Sequence, residues 1–166
     1  MSGRLKALML AVGVMGVAAY ASTVLATPPS GFTSTTLATG RYDEIDVHNV
    51  NPPPDYWQAK LKTHSLSDLY VQSNVWQPGG TSGWHTHPGH SLITVTAGTV
   101  TAYEGDDPTC TPKVYTAGMG FVDHGGDHVH VLRNEGTVEA RTITVQLIPA
   151  AATRRIDANA NPACSF

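Results

Sequence analysis

The sequence predicts an all-β domain, an antiparallel sandwich or barrel, from three observations. No stretch beyond residue 26 carries a convincing helical period. Short β-rich runs separated by Gly and Pro turns continue to the C-terminus. Two runs also alternate strictly. Ser91–Ala97 sets Ser91, Ile93, Val95 and Ala97 against Thr94 and Thr96, and Arg141–Ile148 sets Ile143, Val145 and Leu147 against Thr142, Thr144 and Gln146. This patterning places an apolar face inward and a Thr-rich face toward water.

Of the 166 residues, 1–26 read as an export segment. Arg4 and Lys6 give a basic start, Leu8 to Ala19 is apolar, and Val24-Leu25-Ala26 offers small residues to a signal peptidase. An uncleaved anchor is the alternative, and membrane association follows only in that case. The protein is therefore expected to be secreted or periplasmic. Residues 27–40, rich in Pro, Ser, Thr and Gly, are expected to form a flexible lead-in. The β-domain spans 41–150, and 151–166 form a C-terminal tail. Within the domain, strands are expected over Trp57–Thr63, Asp68–Trp76, Thr99–Glu104, Lys113–Tyr115, Gly120–Asp123 and His128–Arg133, with breaks at Asn51-Pro-Pro-Pro-Asp55 and Gly105–Pro108.

Ten Lys and Arg stand against thirteen Asp and Glu, a formal charge of −3 that falls to −5 once Arg4 and Lys6 are removed. The one basic pair beyond the export segment is Arg154-Arg155, so a nucleic-acid partner is not expected. The two cysteines, Cys110 and Cys164, predict a disulfide in an exported chain. Closing that loop stabilises by about 4 kcal/mol in the chain-entropy model.

Six of the eight histidines fall in two clusters: His85, His87 and His90, then His124, His128 and His130. On an extended chain His85 and His87 leave the backbone on one side, where two neutral imidazoles can close on one ion. His130 is the expected third ligand, and His128, on the same face by parity, is its rival. His90 faces away unless Pro88-Gly89 bends the strand, which would make it a ligand or a neighbour of one. Asp123 and Asp127 can orient an imidazole, although turn duty is the expected role. No serine-elbow motif, phosphate-binding glycine loop or convergent pair of carboxylates offers a competing chemistry.

The stretch Gly79–Gly98 resembles the first motif of the cupins, small jelly-roll barrels: Gly, five residues, His-x-His, three or four residues, Glu, six residues, Gly. Gly79, His85, His87 and Gly98 stand in register. His130 and Asn134 are similar to the His and Asn that end the second motif, whose other positions are imperfectly kept at Gly125 and Asp127. The resemblance covers roughly Asp68 to Pro149. Trp-His-x-His-Pro-Gly and Gly-Asp-Asp-Pro-x-Cys look like a small exported bacterial subgroup. It implies a single-domain double-stranded β-helix with a divalent ion on three histidines, zinc, iron, nickel, manganese and copper being undistinguished, and a homodimer with no strand singled out as the contact. Ser91 departs from the pattern, for it holds the Glu position. A site without that carboxylate leaves the ion its full double charge and favours an anionic small molecule, with the Ser91 hydroxyl holding water or ligand.

Two functions follow from the resemblance: a metal-binding module that holds a small polar or anionic molecule, or an iron-dependent dioxygenase. An enzyme calls for an acid or base beside the metal, and the sequence offers His90, His128 and Tyr103.

Overall fold

The computed structural model describes residues 27–166, and the expected export segment lies outside the described residues. Strands and turns make up the described chain, with no helix. The organising strand is β4 (Ser67–Thr81), which pairs antiparallel with β1 (Ser30–Tyr42) on one side and β11 (Ala140–Pro149) on the other. Next to β11 comes β6 (Ser91–Ala97), and next to β6 comes β9 (Gly120–Asp123). The far end of β4 meets β10 (His130–Arg133), which also pairs with β5 (His85–Thr86) and β7 (Thr99–Glu104). β8 (Lys113–Thr116) flanks β7, and β12 (Ile156–Asp157) flanks β5. The sheet curls into a nearly closed barrel. A separate hairpin, β2 (Asp46–Val50) and β3 (Gln58–Lys62), pairs only with itself.

Two apolar clusters hold the barrel. One comprises Trp76, Ile93, Val95, Val100, Ala102, Leu132 and Ala140, with Phe32, Tyr115 and Phe121 against it. The other packs Trp84, Tyr103 and Val131 against the disulfide between Cys110 and Cys164. That bond ties the end of the tail to the loop after β7.

Three sequence expectations are corrected. The lead-in 27–40 is not loose: β1 begins at Ser30 and runs along nearly all of β4. Its Thr-rich sequence gives little to bury, but β-branched side chains suit a strand whose contribution is its backbone ladder. The faces of β11 are reversed, with Thr142, Thr144 and Gln146 buried while Ile143, Val145 and Leu147 are half-buried outside. The cause is a polar interior. Asn74 Nδ2 donates to Thr142 Oγ1 and Thr144 Oγ1 at 3.2 and 2.9 Å, and Gln72 Nε2 donates to Ser34 Oγ at 2.7 Å. Buried polar groups that satisfy one another remove most of the cost of desolvation. Finally, the strand expected from His128 starts only at His130.

Candidate metal centre

β5 and β10 lie side by side with His85 directly opposite His130. His85 and His87 project to the same side of the chain, so three imidazoles meet in the barrel. Their ring centroids lie 4.4 Å (His85 to His130), 4.8 Å (His85 to His87) and 5.6 Å (His87 to His130) apart. One nitrogen from each falls within 4.8 Å of the others.

The tautomers of two rings are set by the backbone. Gly83 occupies the left-handed region at φ +68°, and a Cβ there would run into the Thr27 carbonyl. That turn aims the Gly83 carbonyl at His85 Nδ1, 2.8 Å away. The Arg154 carbonyl accepts from His87 Nδ1 in the same way. A proton held on Nδ1 leaves each Nε2 lone pair free for an ion. Burial pushes His85 down to about 2, with further help from His130, and pushes His87 and His130 down as well. The rings are therefore neutral at neutral pH, as metal ligation requires. His130 Nδ1 is buried with no hydrogen-bond partner. Three converging neutral imidazoles with free nitrogens suit a divalent ion, so the donor set fits the group that the sequence implied.

The imidazoles open on a cavity of about 350 Å³. Ser91 and Ile93 from β6, Gln72, Asn74 and Trp76 from β4, and Arg154 and Arg155 from the tail are among its walls. Ser91 Oγ, at the position of the absent Glu, donates to Asp123 Oδ2 at 3.3 Å and accepts from Gln146 Nε2 at 3.4 Å. Arg154 lies over the Tyr70 ring at 4.3 Å and donates to Gln146 Oε1 and Thr36 Oγ1, both at 3.3 Å. Arg155 Nε donates to Asp157 at 2.6 Å, while its Nη2 is buried without a partner.

The other candidates fall elsewhere. His90 is exposed just ahead of β6, past the Pro88-Gly89 bend, and does not reach the three imidazoles. His128 precedes β10, so strand parity does not carry it to the face of His130. It sits 3.3 Å from Glu104 and close to His124, in a neighbouring cavity of about 220 Å³. Tyr103 is held in the second apolar cluster, where its hydroxyl donates to Glu135 at 2.8 Å. Asp127 is an exposed turn residue. One contribution escaped the sequence reading. Arg154 and Arg155 reach the cavity because the tail folds back over the barrel, and their signal was their isolation as a basic pair in an acidic chain. Asp123, expected to serve a turn with orientation of an imidazole as its other role, is buried between His87 and His130.

The cupin-domain family profile matches residues 74–146. Residues 74–146 carry a cupin domain. The match takes in His85, His87, His130 and Asn134, the residues that carry both motifs. Partial likenesses exist to solved structures. An oxalate oxidase shares 22% identity over 49% of this chain and 46% of its own, with TM-score 0.42. A conserved Streptococcus pyogenes protein of unknown function shares 16% over 72% of this chain and 76% of its own length, with TM-score 0.46. A structure of DMSP lyases matches at 20% identity over 58% of this chain and 46% of that one, with TM-score 0.46. The chain thus spans under half the length of the oxalate oxidase. No curated protein matches it.

Proposed function

We propose that this cupin binds one divalent metal ion through His85, His87 and His130 and holds a small anionic molecule against it. The observation that carries the reading is the convergence of three neutral ring nitrogens within 4.8 Å in the wall of an internal cavity. The bound ion supplies a Lewis-acid position for an anionic oxygen. Arg154 and Arg155 add two positive charges to the same cavity. A guanidinium presents a fork of donors that matches a carboxylate. Arg155 Nη2, buried and unpaired, is the donor best placed to serve a ligand. The disulfide supports an extracytoplasmic location.

The test is metal content. Protein purified without chelator is expected to hold one equivalent of ion, and a His85→Ala/His87→Ala double variant that keeps its fold is expected to hold none. Unchanged metal in that variant refutes the assignment. The dioxygenase reading gains no support from His90, His128 or Tyr103, which lie outside the cavity lining. Oxygen uptake by the iron-loaded protein above free iron, across small thiols, diketones and phenolic acids, would restore it.

A further inference from the structure

Asp123 ends β9 directly opposite Ser91 on β6, the position where the motif has its Glu. Directly paired residues on adjacent strands project to the same face with Cβ atoms about 5 Å apart. The carboxylate missing from β6 is therefore present on the next strand, at nearly the same place in the barrel. Asp123 is buried, with 5% of its surface exposed.

Its two oxygens face different partners. Oδ1 accepts from the Gly125 amide at 3.0 Å and lies 3.3 Å from His130 Nδ1. Gly125, at φ +66° and packed so closely on Gly89 that a Cβ would collide with its carbonyl, makes the turn that seats this oxygen. Oδ2 takes a bond from Ser91 and lies 3.5 Å from His87 Nε2. The Nδ1 proton of His87 is committed to the Arg154 carbonyl, so Nε2 presents a lone pair to the carboxylate. Two electron-pair donors facing one another in a buried site repel unless a cation stands between them. Two ligands on one ion with bonds of about 2.1 Å and a tetrahedral angle lie about 3.4 Å apart, close to the separation observed. The usual alternative is a carboxylate that orients a ligating imidazole through a hydrogen bond. His130 Nδ1 makes no such bond to Asp123 despite its proximity.

We infer that Asp123, which stands outside the group formed by the three imidazole nitrogens, closes on the bound ion as a fourth ligand, a carboxylate supplied across the strand pair from Ser91 in place of the motif Glu. The inference rests on the three-imidazole reading above and deepens it. With Asp123 bound, the ion keeps one positive charge, and Arg154 and Arg155 still favour an anion.

Cobalt(II) titration of the full chain, followed by its visible absorption, tests the assignment. Asp123→Asn keeps the acceptor for the Gly125 amide but weakens the ligand. It is expected to lower cobalt(II) affinity more than roughly 100-fold, beyond the loss typical of a residue that only supports a ligand, and to change the visible bands as coordination changes. Adding Ser91→Glu to Asp123→Asn returns a carboxylate from the neighbouring strand and is expected to recover at least tenfold. An Asp123→Asn protein with wild-type melting temperature and an unchanged cobalt spectrum overturns the inference, whether its affinity is unchanged or merely reduced. Wild-type protein that binds no cobalt(II) fails the three-imidazole reading itself, a result distinct from either.

Discussion

Asn134 fastens the strand that carries His130 without entering the cavity. Its Nδ2 donates to the Trp76 and Val138 carbonyls at 3.1 and 2.8 Å, and its Oδ1 accepts from the Gly136 amide at 3.0 Å. The side chain is buried, so removing it leaves backbone groups without partners. Asn134→Ala is expected to cost about 3 kcal/mol in urea denaturation of the metal-free protein. Asp68 offers a pH test. Arg41 grips both of its oxygens at 2.8 and 2.9 Å, the Ala151 amide adds a third bond, and together these hold its carboxyl down to about 2 from an ordinary 3.8. A depressed folded value stabilises the fold above the unfolded one, and that contribution is lost as pH falls from about 4 toward 2. Asp68→Asn is therefore expected to be less stable at neutral pH and to lose less between pH 4 and pH 2, as read from denaturation midpoints. The convergence of His85 and His87 was legible in the sequence because a two-residue repeat on a strand fixes which side chains share a face. The pairing of Asp123 with Ser91 was not, since it arises from residues 32 apart on strands that meet only in the folded sheet.

At the scale of elements, the tail 151–166 does more than end the chain. It lays β12 along β5, sets the Arg154 carbonyl on His87, and brings two guanidiniums to the cavity. The bond from Cys164 to Cys110 and the Asn161 side chain, which donates to the Glu104 and Asp107 carbonyls at 3.0 and 2.7 Å, fasten its far end. Cys164→Ser is expected to lower stability by up to about 4 kcal/mol. It should also weaken metal binding, because His87 loses a fixed acceptor. Parallel denaturation and metal titration of variant and wild type check both effects, and wild-type metal affinity in the variant would show that the tail stays seated without the bond. The sequence marked the two cysteines but not where the tail runs, because no periodicity describes a segment held by side-chain bonds and a two-residue strand. β1 went unread for a related reason: a strand with one polar and one exposed face leaves no hydrophobic alternation.

Across the barrel, one region is packed with apolar side chains and another is lined by polar ones. Val95, Val100 and Ala140 fill the first region, while Gln72, Asn74, Thr144 and Gln146 line the second beside the imidazoles. An all-β class was legible from turn spacing and alternation. The sense of the alternation on β11 was not, because a rule that sends apolar residues inward assumes a filled apolar interior, and this one encloses a cavity walled partly by polar side chains. The hairpin β2–β3 stands apart from both regions, with Val47, Val50, Tyr56 and Trp57 exposed and a ladder made only with itself. Its loop, residues 51–57, is bridged internally by the Asn51 amide and the Trp57 carbonyl. A protease that nicks this loop thus severs the chain while leaving every barrel hydrogen bond in place. The two fragments are expected to travel as one particle on gel filtration, joined along β1 and β4, and to retain the cation. Stability and ligand capacity reside in the barrel, and the projecting arm is free to diverge without disturbing either.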